Sequence, residues 1–387
     1  MAIDTTPFAP AGAWQFHNPV RVHAGRGCRN ELAESLRDGS LLVVTTARGG
    51  RQFADDPVLG TLPRHNRVTW VDTVTENPGL TFLDEVSDGL RGQTFDAVIA
   101  FGGGSAMDAG KAVNRALAAE HGTGLRALID DPSLAAAHRV PLYAIPTTAG
   151  TGSEVTPVAT IWHHEQRKKL SLGGAFAQAA FVDPALTDAL PEGPTLSTGL
   201  DAINQAAESI WNRNATSVTL ALATRALQLA FPALPALIDG TGGDRERDRM
   251  AEASLLSGLA ISNTRVALCH SASYPITAHF GVPHGLACAF TMPAVLRHNL
   301  RADDGRFTDL ARALTGETDT TSLLRYFDTL HERLDVRRRV TASIPDLDAL
   351  LALEDGMYTP GRPDNNLAPL EPGDVTQVLR SAYGATG

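Results

Sequence analysis

The sequence predicts an α/β domain with a mostly parallel sheet, followed by an all-helical domain. Four short β-rich runs in the first half alternate with amphipathic stretches: SLLVVTT at 40–46, RVTWVDTV at 67–74, FDAVIAFGGG at 95–104 and VPLYAIPTT at 140–148. Strands that alternate with helices build βαβ units and therefore a parallel sheet. From Leu196 onward, Ala-rich and Leu-rich stretches carry helical spacing. Because 387 residues exceed one ordinary core, we expect domains at 1–190 and 191–387.

Composition narrows the class of protein. A net charge of −10 argues against nucleic acid as a partner, since phosphate neutralisation needs a basic surface. Three scattered cysteines without a CxxC pair favour a reducing cytoplasm, and the N-terminal sequence has no secretory pattern. The apolar run at 219–238 is interrupted by Arg225, Gln228 and two prolines. We expect it to be a buried helix with a proline-marked end, and we expect no membrane partner.

Two loops rich in small residues follow the third and fourth predicted strands. The first contains Gly102, Gly103 and Gly104 and leads into a helix near Ser105, whereas the second reads TTAGTGS at 147–153. Glycines and a helix N-terminus together suit a pyrophosphate, although the first loop alone also fits a plain strand-to-helix turn. Two such loops at the ends of parallel strands lie where α/β sheets bind ligands.

A second group of polar residues indicates a metal site. Asp201 and Gln205 are four residues apart, so they share one helix face if the stretch GLDAINQAAE is helical. Downstream, His270 and His284 are separated by fourteen residues. Carboxylate, amide and imidazole donors suit a borderline divalent ion without selecting between iron and zinc.

Four motifs occur in the order found in one enzyme family. GGGSAMDAGK, PTTAGTGSE, GLDA and a histidine followed fourteen residues later by the histidine of PHG make the chain resemble the iron-containing (group III) alcohol dehydrogenases. The similarity extends from ENPG at 76–79 to the C-terminal DNNLAPL. The resemblance implies a dehydroquinate synthase-like fold and a metal-dependent, NAD(P)-linked alcohol dehydrogenase or aldehyde reductase.

The same resemblance assigns the cofactor site. It implies contacts with the dinucleotide from Gly103, Gly104, Ser105, Asp108, Thr147, Thr148, Thr151 and Lys169. Thr46 stands where NAD-using relatives carry an acidic residue, and Arg48 and Arg51 follow it. Because an acidic residue would repel a 2′-phosphate, this stretch favours NADP(H) over NAD(H). The alternative is that the two arginines only solvate an exposed loop.

In the family, an Asp and three His hold Fe(II) or Zn(II). Asp201, His270 and His284 match this set, but Gln205 replaces one imidazole and Tyr274 replaces a further family histidine. The interpretation is that Asp201, Gln205, His270 and His284 bind a metal that acts as a Lewis acid. The proton would come from Tyr274, from His279 or through water. The alternative is a metal-free nucleotide-binding protein in which these residues form a polar core.

With Gln205 and Tyr274 at these positions, the chain resembles the branch of the family described as phosphonoacetaldehyde reductases. The expected reaction is reduction of phosphonoacetaldehyde to 2-hydroxyethylphosphonate in phosphonate or phosphinate natural-product biosynthesis. Candidate substrate contacts are Arg265, Ser273, Thr277 and His279. The alternatives are reductases of lactaldehyde, 1,3-propanediol or 4-hydroxybutyrate type, whereas dehydroquinate synthase would require more Lys and Arg around 240–300. The partners expected are a small aldehyde or alcohol and a second copy in a homodimer.

Overall fold

The structure, a computed structural model, describes Phe8, Pro10 and residues 12–136, 140–166, 168–358 and 361–384, which form two compact units. Asn18–Leu190 is one unit, and the residues from Pro191 onward form the other. The described residues before Asn18 belong to this second unit, which differs from the predicted 1–190 domain. The reason lies in their contacts, because the His17 amide donates to Asn263 Oδ1 at 2.9 Å and the Arg306 guanidinium lies 5.2 Å from the Phe8 ring.

The first unit contains a six-stranded sheet whose strand pairs are all parallel. Its strands, in chain order, are β1 (Arg21–Ala24), β2 (Ser40–Thr45), β3 (Arg67–Val71), β4 (Ala97–Gly102), β5 (Leu142–Pro146) and β8 (Ala179–Val182). A separate antiparallel hairpin consists of β6 (Ala159–His163) and β7 (Lys168–Leu172). The parallel α/β prediction is therefore confirmed, and β2 to β5 lie within the four runs that predicted them.

The strand order locates the ligand-binding edge of this sheet. The order is β1-β8-β5-β4-β2-β3, so the chain adds β3 on one side of β2 and then returns to place β4 on the other side. Every residue of β2 and β4 is buried, as expected for parallel strands that are covered on both faces. The carboxyl ends of β2 and β4 form a topological switch point, which is where open α/β sheets bind ligands.

Helices connect these strands. In the first unit they are α1 (Arg29–Ser35), α2 (Ala47–Asp55), α3 (Leu62–His65), α4 (Leu80–Leu90), α5 (Gly104–Leu117) and α6 (Leu125–Asp130). Helix α2 begins directly after β2, and α5 begins directly after β4. Both helix N-termini therefore lie at the carboxyl edge of the sheet.

The regular elements described after Pro191 are helices, in agreement with the predicted all-helical region. They are α7 (Glu192–Ile210), α8 (Ser217–Ile238), α9 (Asp244–Thr264), α10 (Leu268–Phe280), α11 (His284–Asn299), α12 (Arg306–Thr315), α13 (Thr320–Arg333), α14 (Val336–Thr341), α15 (Leu347–Leu351) and α16 (Asp374–Tyr383). Helices α7, α8 and α9 pack on one another, and α11 packs on both α7 and α10. This arrangement surrounds α7 with neighbours.

Helix α8 contains the apolar run singled out in the sequence. By length and composition alone it qualifies as a bilayer-spanning helix, but half of its apolar window is buried within the protein. The expected proline-marked end is wrong, because the helix continues through Pro232 and Pro235 to Ile238. Each proline removes one backbone donor, and packing against α7 and α9 maintains the helix across both.

A buried histidine in α13 makes stability depend on pH. Burial, followed by the charge of Arg337, lowers the pKa of His331 from 6.5 to about 4. Because the folded pKa lies below the unfolded one, the stabilisation is complete above pH 6.5 and is lost as the pH falls towards 4. We predict that the free energy of unfolding falls by up to roughly 3 kcal/mol over this range on account of His331.

Urea unfolding of wild type and of His331→Gln between pH 7 and pH 4 measures this contribution. The variant should lose less stability on acidification, because its side chain does not titrate. The matched control is His121→Gln, which changes an exposed histidine. Equal pH dependence in wild type and His331→Gln would contradict the prediction.

Candidate functional site

Three loops meet at the carboxyl edge of the sheet in the first unit. Thr46 follows β2, Gly103 follows β4 and Thr147 follows β5, and these three strands are neighbours in the sheet. The Thr147 amide donates to the Gly102 carbonyl at 2.8 Å, which continues the pairing of β4 and β5 into the loops. Thr46, Gly103 and Thr147, three of the residues that sequence reasoning assigned to the cofactor, therefore share one edge.

Glycine allows the two glycine-rich loops to approach each other closely. A Cβ on Gly104 would lie 2.7 Å from Thr151 Cγ2, and one on Gly103 would lie 3.2 Å from Thr148 Cγ2. Gly104 is also the first residue of α5, whose N-terminal amides have no partner within the helix. The loops thus form a cradle of amides and hydroxyls that suits a diphosphate.

Ser105 and Asp108 support this cradle from within. Ser105 Oγ accepts a hydrogen bond from the Asn77 amide at 3.2 Å. Asp108 accepts from Ser153 Oγ at 2.8 Å and from the Thr160 amide at 3.0 Å. Burial raises the pKa of Asp108. Its carboxyl group therefore fixes the second loop to β6. The direct cofactor contact that the resemblance implied stays a prediction.

Lys111 is a residue that sequence reasoning missed. Its buried Nζ donates to Ser153 Oγ at 2.9 Å, Thr156 Oγ1 at 3.1 Å and the Val158 carbonyl at 2.9 Å. Burial lowers its pKa to about 8, against the opposing charges of Asp108 and Glu154. The GK pair that closes the glycine motif was its only signal. Lys169, predicted to contact the cofactor, lies on β7 with Nζ 5.0 Å from the Trp162 ring centre.

Thr46 caps helix α2. Its Oγ1 accepts the Gly49 amide at 3.0 Å, and the backbone at Thr46 is extended, as in an ordinary N-cap. Arg48 and Arg51 are exposed in the first turns of α2. The arginines therefore project from a helix and do not belong to a loop.

In the second unit, helix α7 buries a polar face. Asp201, Asn204, Gln205 and Glu208 lie at positions i, i+3, i+4 and i+7, and none is more than 6% exposed. These spacings place the four side chains on one side of the helix. Because buried polar groups are costly without partners, this face requires a counterpart on the neighbouring helices.

His270 on α10 pairs with this polar face of α7. Glu208 Oε2 lies 2.7 Å from His270 Nδ1, and the same carboxylate accepts the Ala267 amide at 2.7 Å and the His270 amide at 3.1 Å. An ionised carboxylate only accepts, so Nδ1 donates and Nε2 faces the other way. Sequence reasoning missed Glu208, although its position one turn beyond Asn204 on the polar face was a signal.

His270 Nε2 lies 3.3 Å from Asp201 Oδ1. Burial lowers the pKa of His270, but Glu208 and Asp201 outweigh burial and raise it to about 9. Without a metal ion, the His270 imidazole therefore keeps a proton on Nε2, beside the Asp201 carboxylate. A cation bound at this position would displace that proton, as metal binding at histidine generally does.

Gly285 allows His284 to lie beside Asp201. A Cβ at this position would lie 1.7 Å from the Ser197 carbonyl oxygen and 3.0 Å from the Asp201 amide. The start of α11 therefore touches the backbone of α7, an approach that only glycine permits. His284, the first residue of α11, is placed beside Asp201 by this contact.

The resulting cluster fits a divalent ion. Ligand atoms of Asp201, His270, His284 and Cys288 all lie within 4.8 Å of one another. Two ligand atoms roughly 2.0–2.1 Å from one ion at the tetrahedral angle lie about 3.4 Å apart. The 3.3 Å between His270 Nε2 and Asp201 Oδ1 agrees with that edge. One carboxylate and two imidazoles are suitable donors for Zn(II) or Fe(II).

Cys288 was not assigned a role from the sequence. It lies one turn after His284 on α11, and its Sγ is 3.8 Å from both ring nitrogens of His284. Equal distances place the sulfur beside the ring and off the lone-pair axis of either nitrogen. In this rotamer Cys288 packs against the imidazole and does not share an ion with it. Gln205, the predicted fourth ligand, is buried one turn after Asp201 on the polar face of α7.

Two predicted site residues on α10 contact the metal ligands. The Tyr274 ring stacks on His284 with centroids 5.8 Å apart and planes at 15°. Burial raises the pKa of Tyr274, so its hydroxyl stays protonated at neutral pH. Ser273 Oγ donates to the His270 carbonyl at 2.7 Å and lies 3.3 Å from His284 Nδ1. Ser273 therefore orients His284 and uses its own hydroxyl proton in the bond to the His270 carbonyl. The expected substrate contact of Ser273 stays a prediction.

The other predicted substrate contacts are more dispersed. Arg265 is exposed at the end of α9 in a left-handed conformation, and its carbonyl accepts Asn212 Nδ2 at 3.0 Å. His279 is exposed in the last turn of α10. Thr277 Oγ1 is buried and has no hydrogen-bond partner among the described residues. Of these three, the buried hydroxyl of Thr277 best suits a ligand contact.

Comparisons with known proteins agree with this geometry. A model of the iron-containing alcohol dehydrogenase family matches residues 19–184, and a model of its C-terminal region matches residues 195–383. A probable alcohol dehydrogenase EutG of Escherichia coli (strain K12) is 36% identical over 65% of this chain and 64% of the relative. A phosphonoacetaldehyde reductase of Streptomyces viridochromogenes is 36% identical over 61% of this chain and 62% of the relative. These matches span less than two thirds of each relative's length.

A solved structure is similar over nearly the whole chain. The sulfoacetaldehyde reductase from Bifidobacterium kashiwanohense, in complex with NAD⁺, is 28% identical with a TM-score of 0.83. The similarity covers 96% of this chain and 98% of that chain. Both units therefore have counterparts in one known fold.

The geometry predicts that Glu208 controls metal affinity through His270. Glu208→Gln removes the carboxylate that fixes the His270 tautomer, so metal affinity should fall by about 10- to 100-fold. Competition with a chromophoric chelator measures this affinity for Zn(II) in the purified protein. Glu332→Gln, a change at an exposed position on α13, is the matched control.

Gln205→His should change the metal affinity in the opposite direction. An imidazole is a better donor than an amide for a borderline ion, so this variant should bind Zn(II) more tightly than wild type. Unchanged affinity in Glu208→Gln would show that the carboxylate does not act through the metal ligand.

Proposed function

The chain belongs to the iron-containing alcohol dehydrogenase family, and on this premise we propose that it is a metal-dependent, NAD(P)H-linked reductase of small aldehydes. The observation that carries the proposal is the convergence of Asp201, His270 and His284 from three helices. A bound divalent ion would polarise the carbonyl oxygen and stabilise the negative charge that develops there when hydride reaches the carbon. The nicotinamide cofactor would supply the hydride.

The chain's own residues prepare this chemistry. Glu208 holds His270 in the tautomer that presents Nε2 to Asp201, and Ser273 lies against Nδ1 of His284. Both imidazoles therefore keep one nitrogen for the ion. Tyr274, the predicted proton source, keeps its hydroxyl proton at neutral pH because burial raises its pKa. It can therefore donate to a developing alkoxide if the aldehyde oxygen lies within reach.

For the substrate we propose phosphonoacetaldehyde, with 2-hydroxyethylphosphonate as the product. Supporting this, one curated relative is named a phosphonoacetaldehyde reductase, and a structural neighbour is named a sulfoacetaldehyde reductase. Both names describe a two-carbon aldehyde with a strongly acidic group. The second candidate is an uncharged short-chain aldehyde, favoured by the equal identity to the probable alcohol dehydrogenase EutG. The proposed setting is phosphonate biosynthesis in the cytoplasm, with action as a homodimer.

Metal content and substrate charge test the proposal together. Wild type should contain a divalent metal and should reduce phosphonoacetaldehyde with a higher kcat/KM than propanal, whereas His270→Ala and His284→Ala should lose metal and activity together. Elemental analysis beside rates on both aldehydes gives both readouts. Full activity after exhaustive chelation would overturn the metal proposal. Equal efficiency on both aldehydes would overturn the phosphonate assignment and leave the metal proposal standing.

For the cofactor we propose NADPH, because Thr46 introduces no negative charge and two exposed arginines follow it on α2. Thr46→Asp should reverse the preference in kcat/KM towards NADH by repelling the 2′-phosphate, with a change on the order of tenfold or more. Aspartate also caps helices well, so the variant should retain the start of α2.

Thr46→Ser keeps the cap and the hydroxyl, so its cofactor preference should match that of wild type. If wild type uses NADH as efficiently as NADPH, Arg48 and Arg51 do not bind the 2′-phosphate.

A further inference from the structure

We propose that Arg362 is the residue that binds the anionic group of the substrate. The inference rests on the proposed aldehyde reductase function and identifies its anion subsite. Arg362 precedes a short turn at Pro363–Asn365, far along the chain from the metal ligands. Sequence reasoning placed the substrate contacts on Arg265, Ser273, Thr277 and His279, and no motif drew attention to Arg362.

Two ring contacts connect Arg362 to the metal cluster. Its guanidinium carbon lies 4.5 Å from the centre of the Tyr274 ring. The same ring stacks on His284 with a centroid distance of 5.8 Å. A fixed positive charge is therefore separated from a metal ligand by a single aromatic side chain. Arg265, by contrast, is exposed at the end of α9.

The backbone around Arg362 is held in place. Asn365 Nδ2 donates to the Val266 carbonyl at 2.8 Å and to the Gly361 carbonyl at 2.9 Å. The Asn365 carbonyl accepts the Arg213 amide at 2.9 Å. These bonds join the turn to the segment between α9 and α10 and to the segment between α7 and α8. Anion recognition benefits from such preorganisation because less conformational freedom is lost on binding.

The charge balance of the cluster explains why a cation is needed. Asp201 and Glu208 contribute two negative charges, which a divalent ion would neutralise. An aldehyde with a phosphonate group brings further negative charge into this buried region, and burial of unpaired charge is costly. A guanidinium matches the oxygens of a phosphonate or sulfonate in a bidentate fashion, which an ammonium group does not.

A change in substrate preference tests this role. With the metal-loaded protein, Arg362→Gln should lower the ratio of kcat/KM for phosphonoacetaldehyde to kcat/KM for propanal by roughly 10- to 100-fold, mainly through KM. Arg362→Lys should give a ratio between those of wild type and Arg362→Gln, because lysine keeps the positive charge but cannot make the bidentate contact. Arg380→Gln, at an exposed position in the last turn of α16, is the matched control.

Binding of methylphosphonate, measured by calorimetry, gives a readout without turnover. Wild type should bind it and Arg362→Gln should bind at least tenfold more weakly, with metal content unchanged in both. An unchanged substrate ratio, or equal loss on both aldehydes with loss of metal, would overturn the proposal.

Different results would overturn the anion subsite at Arg362 and the assignment of a phosphonate substrate. If wild type prefers another anionic aldehyde, such as succinic semialdehyde, and Arg362→Gln abolishes that preference, the phosphonate assignment falls and the subsite stands. If wild type reduces no aldehyde, methylphosphonate binding still decides on Arg362. If wild type binds no methylphosphonate and favours propanal, both the subsite and the phosphonate assignment fall.

Discussion

A single buried carboxylate determines the geometry of the candidate metal centre. Glu208 accepts the amides of Ala267 and His270 as well as His270 Nδ1. It thereby caps the N-terminus of α10, where no side chain of α10 itself provides a cap, and fixes the imidazole in the same contact. Negative charge at a helix N-terminus is favourable, whereas removal of one member of a buried charged pair costs about 3–5 kcal/mol. Helix position and ligand orientation therefore depend on one side chain.

The first unit uses buried polar groups in a similar way. Lys111, Asp108 and Ser153 form a hydrogen-bonded group beneath the second glycine-rich loop. Their bonds fix the loop to β6. In each unit, buried charged side chains form hydrogen bonds that hold the residues of the candidate site in position. Such second-layer support is what keeps a binding site rigid.

Much of this arrangement was predictable from sequence, and the rest has identifiable physical causes. Strands β2, β4 and β5 were visible because they are buried on both faces, which gives continuous apolar runs. The edge strand β3 was visible through its β-branched and aromatic residues. Asp201, His270 and His284 were found through their spacing and a family resemblance. Glu208 and Lys111 were missed because their roles depend on contacts between distant parts of the chain. Arg362 follows no periodic pattern, and only the fold brings it to Tyr274. The strands β1, β6, β7 and β8 were missed; β1 and β7 are partly exposed and carry no continuous apolar run.

X-ray absorption spectroscopy of the zinc-loaded protein tests the metal centre most directly. We predict a shell of only nitrogen and oxygen at about 2.0–2.1 Å, with outer-shell scattering from two imidazoles. His284→Ala should retain scattering from one imidazole in whatever zinc remains bound. A sulfur shell near 2.3 Å would show that Cys288 rotates to bind the ion. A spectrum without imidazole scattering would contradict the central claim that His270 and His284 hold the metal.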